Sequence, residues 1–344
     1  MSKPKVYIII LNYNSWMDTV ECLESVLKQK YSNYQIVLVD NNSTDDSVQK
    51  LEGWMKGEVE FDWQVSENLK QLSSPAAPKP ISFSINPSSH AIEADASQIG
   101  FFSTEENLGY AGGNNLGIEY GLKRNDADYF WILNNDTVVP DDCLTYLVDH
   151  FEVHLNEGKN LGVLGSKLRF YDEPDTLQGI GASFNKFTSK ITQIGTFEKD
   201  NGQYDHNETK VDFVIGASIF VSKQMVEKAG TMAEEYFLYN EEIDWCRRAQ
   251  QKGFSISYAP HSIIYHKQGA STKNSVKSRK KNINAMFYQF RNIILFYRKF
   301  HPMLVFIPMS VVSLRILKFS LRVDKKFISL LYPVLTQQKQ LYKK

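Results

Sequence analysis

Three short stretches carry side chains whose types and spacing suit chemistry. In "YNEEIDWCRR" the acids Glu241, Glu242 and Asp244 crowd the start of an apparent helix, directly after the aromatic run Tyr236-Phe237-Leu238-Tyr239. A carboxylate against an apolar wall has its pKa raised and can act as a general base near neutrality. Acids in a first turn equally offset the helix dipole. In "FWILNNDT" an apolar run ends abruptly in Asn134-Asn135-Asp136. One carboxylate there is a hard oxygen ligand for Mg²⁺ or Mn²⁺, ions that keep several waters and take further ligands from substrate phosphates. In "SIIYHKQ" His266 follows another apolar run, and beside Asp136 it would complete a metal site.

Such residues need a scaffold, and the chain reads as an alternating one. "KVYIIILN" (5–12) and "YQIVLVD" (34–40) are continuous apolar runs, the pattern of buried strands. Between and after them, "SWMDTVECLESVLKQK" and "NNSTDDSVQKLEGWM" carry apolar residues at helical spacing. "IGFFST", "YAGGNNLGIEYGLKR", "ADYFWILN" and "PDDCLTYLVDHFEVH" repeat strand, helix, strand, helix. This order predicts an α/β fold with a mainly parallel sheet and helices on both faces. Ligands of such sheets sit beyond the carboxyl ends of the strands. Three polar ends fall there: Asn12-Tyr13-Asn14, Asp40-Asn41-Asn42 and Asn134-Asn135-Asp136. Asp40 suits a nucleobase imide or ribose hydroxyl, or a cap on the next helix. "ENLGYAGGNN" offers Gly109 and Gly113, where backbone can approach a ligand, flanked by Asn107 and Asn114; it is neither GxGxxG nor a P-loop.

Residues 57–100 interrupt the rhythm with a Pro/Ser-rich insertion, expected as a loop or short hairpin. Beyond residue 160 come short strands, "LGVLGSKLRF", "FNKFTSKITQIG" and "VDFVIGASIFV", then the acid-bearing helix and the strand-like "FSISYAP" and "SIIYHKQ". Helical patterns follow at about 276–300 and 303–322. The expected organisation is one unit over 1–270, a nucleotide-binding type α/β half to about 140 followed by a mixed half over 141–270 that shares its sheet. A basic helical region, 271–344, follows.

The 344 residues are 42% hydrophobic and 23% charged, as in an ordinary globular protein. Net charge is zero, yet from Trp245 onward 20 Lys/Arg face a single acid, Asp324. A basic end attracts anionic partners, or neutralises the acidic remainder by packing on it. Three scattered cysteines suit a reducing compartment, and "MSKPKVYIIILNYN" is too short in its apolar part for a signal peptide, so a cytoplasmic protein is expected. "MLVFIPMSVVSL" (303–314) is apolar for 12 residues before Arg315, too short to span a bilayer, and with Lys318, Arg322, Lys325 and Lys326 could lie at an anionic membrane surface or pack on protein. No nucleic-acid motif accompanies the basic end.

The ordered set "IIILNYN", "IVLVDNNSTDDS", "NLGYAGGNN", "FWILNNDT", "FVIGASIFV", "YNEEIDWCRR" and "IIYHKQGAST" resembles family 2 glycosyltransferases, inverting GT-A-fold enzymes that use nucleotide-diphosphate sugars. It looks most like the bacterial branch that includes rhamnosyltransferases of cell-surface polysaccharide synthesis. The resemblance implies that Asn12, Tyr13, Asn14 and Asp40 hold the nucleoside, that "NND" replaces a DxD motif with Asp136 on the metal, and that Glu242 is the base. "EE" stands where that family usually has Glu-Asp, so the carboxylate reaches one methylene further. His266 matches a histidine that contacts metal or diphosphate in similar enzymes. A divalent metal, Mg²⁺ or Mn²⁺, a nucleotide-sugar donor such as dTDP-rhamnose or a UDP-sugar, and a saccharide or lipid-linked acceptor follow. Two rivals stand beside this reading. A sugar nucleotidyltransferase would need a basic, Gly-rich loop that "IIILNYNSW" lacks. A non-catalytic nucleotide- or carbohydrate-binding protein would show no transfer.

Overall fold

A computed structural model describes residues 3–60, 69–86, 97–206, 209–267, 283–323 and 325–338. The first half runs β1 (Val6–Asn12), α1 (Trp16–Val26), β2 (Tyr34–Asp40), α2 (Ser47–Lys56), a short α3 (Lys70–Ser73), β3 (Phe83–Ile85), β4 (Ile99–Ser103), α4 (Gly109–Arg124), β5 (Tyr129–Asn134), β6 (Thr137–Val138) and α5 (Cys143–Asn156). The second adds β7 (Leu161–Phe170), β8 (Leu177–Gly179), β9 (Ala182–Asn185), β10 (Lys190–Gln193), β11 (Ser218–Ser222), α6 (Lys223–Ala229), α7 (Glu241–Gln251) and β12 (Ser255–His266). Then come α8 (Ile283–Phe300), α9 (Phe306–Arg322) and α10 (Leu331–Leu335).

All strands but the β9–β10 hairpin join one sheet of ten, in the order β3-β4-β2-β1-β5-β11-β7-β12-β6 with β8 against β7. Pairing is parallel from β3 to β5 and between β7 and β12. β11 runs antiparallel between β5 and β7, so both halves share one sheet. Side chains alternate across a strand, and a strand covered on both faces needs apolar residues at every position. In β1, Val6, Ile8 and Ile10 enter one layer while Tyr7 and Ile9 enter the other. In β5, Tyr129, Trp131 and Leu133 part in the same way from Phe130 and Ile132. Leu23 of α1 and Trp54 of α2 fill the first layer, Ile118 of α4 and Ile243 of α7 the second. Cutting one such buried aliphatic side chain to alanine costs about 2–5 kcal/mol.

Three features differ from expectation. In the insertion, β3 pairs parallel with β4 and extends the sheet edge instead of forming a hairpin. The buried Glu24 of α1 ties the segment down, accepting from Trp54 Nε1 (3.1 Å), Lys79 Nζ (2.8 Å) and the Ala77 N–H (2.6 Å). Residues 61–68 and 87–96 of that insertion, and 271–282, 324 and 339–344 of the basic region, lie outside the described residues. Next, "FSISYAP" and "SIIYHKQ" contribute to one strand, β12, whose register against β7 shifts between Ala259 and Ile263. Pro260 sits in that irregularity, where no ladder N–H is required.

The third concerns the C-terminal helices. α8 enters the second layer through Phe296 and Tyr297, and its Phe287 and Phe290 gather Val312, Ile316, Phe327 and Leu330 into a separate core. The apolar stretch does not end at Arg315: Pro302–Arg322 runs 21 residues, long and apolar enough to cross a membrane by length and composition, and little of it is buried. Phe306, Leu314, Leu317 and Leu321 are exposed on α9. They fall within about 80° of one another at roughly 3.6 residues per turn, an apolar stripe flanked by Arg315, Lys318 and Arg322.

Candidate active site

The register of β1 with β2 and β5 sets Asn12 beside Asp40 and Leu11 beside Asn134, so the three polar strand ends share one rim. Asn12 is fully buried; its Nδ2 donates to Asp40 Oδ2 (2.7 Å) and its Oδ1 accepts from Thr19 Oγ1 (2.8 Å). Asp40 also accepts from the Ser43 N–H (2.9 Å) and hydroxyl (2.6 Å) and is 1% exposed. Asn12 and Asp40 therefore fasten the turn after β2 from inside. The exposed edge is Tyr13, 39% accessible, with Asn14 and Asn42, both at positive φ (52° and 61°), a conformation asparagine tolerates. Asn135 Nδ2 donates to Thr19 Oγ1 (2.9 Å), while the Asn134 backbone N–H pairs with Ala217 O (3.0 Å).

The glycines of α4 stand at close packing contacts. A Cβ on Gly109 (φ 71°) would lie 2.3 Å from Phe237 O, and one on Gly113 would lie 2.4 Å from Leu11 Cδ1. They bring α4 close to β1 and to the loop before α7. Asn107 and Asn114 belong to the same framework. Asn107 Oδ1 accepts from the Gly109 N–H (2.9 Å), and the buried Asn114 donates to Tyr110 O (2.8 Å).

Asp136 stands in the turn between β5 and β6, and β6 pairs with the end of β12 so that His266 lies opposite Thr137. That register brings His266 Nε2 to 3.0 Å from Asp136 Oδ1. His266 Nδ1 donates to the buried Gln178 Oε1 (2.8 Å), leaving Nε2 for a ligand, the arrangement that orients metal-bound histidines. Two cis ligands at about 2.1 Å from an octahedral cation stand about 3.0 Å apart, so the pair fits Mg²⁺ or Mn²⁺. Among the described residues no three His, Cys, Asp or Glu gather around one point. A cation here would take its other ligands from water and substrate phosphate. Lys267 locks the strand end: its N–H donates to Asp136 O (2.9 Å) and its ammonium pairs with Asp18 (2.6 Å) and Glu21 on α1.

The acids of α7 divide into two roles. Burial pushes the Glu242 carboxyl up to about 6, against backbone N–H groups of Glu242 and Asn240 that pull it down. Glu242 is half-buried, so its carboxyl group remains approachable. Glu241 is 4% exposed with Oε2 unpartnered; burial first, then the Glu242 charge, holds it far above the ordinary carboxylate range. Asp244 is held differently. It is fully buried, with Oδ1 on Arg248 (2.5 Å) and Oδ2 on Lys299 (2.7 Å) and the Tyr236 hydroxyl (3.0 Å). It anchors the helix.

Tyr110, a residue the sequence did not single out, joins the two sets of acids. Burial first, then the charges of Glu241, Glu242 and Asp136, raises its phenol well above the ordinary range. Its hydroxyl donates to Gly216 O (2.6 Å), and a Cβ on Gly216 would meet only open space.

Asn292 was also missed. The loop before α7 holds Phe237, Tyr239 and Asn240 at positive φ (64°, 70° and 73°), strain of about 1–3 kcal/mol each that surroundings must enforce. Asn292 of α8, fully buried, shares its Nδ2 among Tyr236 O, Leu238 O and Tyr239 O, each at 2.8 Å. Its only sequence signal is a polar pair, Arg291-Asn292, in an apolar helix. Asn292→Leu is expected to lower the melting temperature and slow catalysis at least tenfold while ligand-induced stabilisation persists, since a buried unpaired carbonyl costs about 1–3 kcal/mol. Parent-like turnover would show that the loop holds itself.

Residues 7–66 match the description "Glycosyl transferase family 2" and residues 81–285 match "Glycosyltransferase like family 2". The Haloferax volcanii "Low-salt glycan biosynthesis hexosyltransferase Agl10" is 25% identical over 57% of this chain and 59% of its own length. The Shigella flexneri "dTDP-rhamnosyl transferase RfbF" is 22% identical over 90% of this chain and 86% of its own. Among solved structures, the mannosyltransferase PcManGT from Pyrobaculum calidifontis, in complex with GDP-Man and Mn²⁺, superposes with a TM-score of 0.51 at 12% identity, over 100% of this chain and 82% of that one. That likeness is one of fold.

Proposed function

The chain belongs to glycosyltransferase family 2, and from that premise we propose that it moves a sugar from a nucleotide-diphosphate donor to a saccharide hydroxyl with inversion, Glu242 taking the hydroxyl proton. The observations that support this reading are the Asp136–His266 pair, 3.0 Å apart at the strand rim, and the half-buried Glu242 with its raised pKa at the start of α7. Glu242, with its pKa at about 6, is ionised near neutrality and still basic enough to accept a proton as the hydroxyl attacks. Attack from the face opposite the leaving group inverts the anomeric carbon, and one base suffices. Asp136 and His266 would hold a divalent cation, which supplies positive charge for the departing diphosphate when bound. Tyr13, Asn14 and Asn42 form the accessible rim for the nucleoside, with Tyr13 offering an aromatic face to the base.

The donor we favour is dTDP-rhamnose, with UDP-sugars next, because the relative matched over 90% of this chain is named for dTDP-rhamnosyl transfer. The acceptor is a saccharide or lipid-linked saccharide of cell-surface polysaccharide. The exposed stripe on α9 with its flanking cations supports contact with an anionic membrane at the inner face of the plasma membrane. A thermal-shift panel of UDP, dTDP and GDP, with Mn²⁺ or with chelator, tests the donor half. A ligand at 100 times its Kd stabilises by about 2.7 kcal/mol, a shift of several degrees. The expected result is such a shift with dTDP or UDP, larger in Mn²⁺. No shift with any nucleotide would overturn the reading.

A further inference from the structure

A groove of about 720 Å³ lies along the flank of α7, lined by Phe184, Lys186 and Lys190 of the β9–β10 hairpin, Arg247 of α7, and Phe296 and His301 at the end of α8. None of these residues takes part in the chemistry above. Among the described residues, Lys186, Lys190 and Arg247 have no carboxylate at ion-pair distance, and Arg247 Nε is buried without a hydrogen bond. The acid at the groove, Asp212, already accepts from the Phe184 N–H (2.7 Å). His301 is held below its usual pKa by burial and then by Arg247 and Lys186, so these cations converge. Phe184 stacks on His301 and meets Phe296 edge-on, forming an apolar wall.

Cations crowded in a half-enclosed groove repel one another, and a multiply charged anion relieves that repulsion. A guanidinium fork suits phosphate oxygens. Solvated lysines on a hairpin would be unremarkable alone, but beside them the half-buried Arg247, its Nε buried and without a hydrogen bond, points to a ligand. Arg247 lies five residues beyond Glu242, about 7.5 Å along the helix axis and about 140° round it, so the groove opens on a different flank of α7 from the base. His301 adjoins Pro302, where the exposed apolar stretch begins.

We propose that this groove binds the phosphate ester of a phosphate-linked saccharide acceptor, anchoring that acceptor on the flank of α7 away from the base. The inference rests on the acceptor reading above. The test titrates the full chain, its donor site filled with the nucleotide that stabilises it most, with inorganic pyrophosphate by calorimetry. A second arm uses phosphatidylcholine vesicles carrying a long-chain alkyl phosphate. Arg247→Gln, and separately Lys186→Gln with Lys190→Gln on the exposed hairpin, should each weaken phosphate binding at least tenfold while the nucleotide shift stays unchanged. Binding at least tenfold tighter to the doped vesicles than to pyrophosphate would identify a lipid-borne phosphate; comparable affinities would identify a soluble one. Failure of the parent to bind either probe, or binding that survives both substitutions, overturns the proposal. A missing nucleotide shift would count against the donor reading instead, so the two failures are told apart.

Discussion

Glu242→Gln is expected to slow sugar transfer by about 10²–10⁴-fold while nucleotide-induced stabilisation remains, because a positioned general base contributes about that much. The amide keeps the size of the side chain but cannot take a proton. In the parent, burial raises the carboxyl from 4.5 to about 6, so the rate should climb with pH through about 6 and level off above it. Residual activity of the variant should be flat across that window. Stability should move the other way. A carboxyl whose pKa is higher in the folded than in the unfolded state is penalised once ionised, a cost absent below pH 4.5 and fully present above about 6. At pH 7 the variant should therefore be more stable by up to about 2 kcal/mol, at about 1.4 kcal/mol per pKa unit, and no more stable at pH 4. Losing the neighbouring charge also relieves Glu241. An inactive variant that gains stability only above pH 6 marks a functional carboxylate kept at a cost to the fold. Unchanged turnover would remove Glu242 from the mechanism.

The contrast between Glu242 and Asp40 shows what a sequence can and cannot deliver. Apolar runs ending in polar residues located β1, β2 and β5 and the rim they share, because burial on both faces leaves an unmistakable pattern. The pattern does not say which way a terminal side chain turns. Asp40 turns inward to Ser43, and only the tight turn after β2 decides that. The glycines of α4 were legible as close-approach positions, yet the approaching partners, Phe237 and Leu11, come from elsewhere in the chain. Asp244 reads like its neighbours Glu241 and Glu242, but helical rotation points it at Arg248 and Lys299, a partner on α8. Asn292 and Tyr110 act through backbone carbonyls, which every residue possesses, so no spacing announces them. Arg315 seemed to end an apolar segment because composition was weighed without the helix, which continues through it to Arg322.

Asp136→Asn should separate the two halves of the site. Asparagine preserves shape but removes the negative charge that makes Asp136 a hard ligand, and Asn134, already neutral, cannot replace it. Nucleotide should still stabilise the variant in chelator, since the rim of Tyr13, Asn14 and Asn42 is untouched. The additional stabilisation in Mn²⁺ should vanish, and the rate should fall about 10²–10³-fold, the scale on which charge stabilisation at a leaving group acts. Gln178→Ala should weaken the Mn²⁺ response about 10–100-fold in apparent affinity by freeing the His266 ring, a smaller and purely orienting effect. The pH profile above about 6 should be unchanged in both, because the Glu242 environment is intact. A full Mn²⁺ response in Asp136→Asn would place the cation elsewhere. The expected pattern, metal response lost with Asp136 and pH response lost with Glu242, requires two carboxylates with separate tasks in one cleft, and a single shared role for the pair would instead couple the two losses.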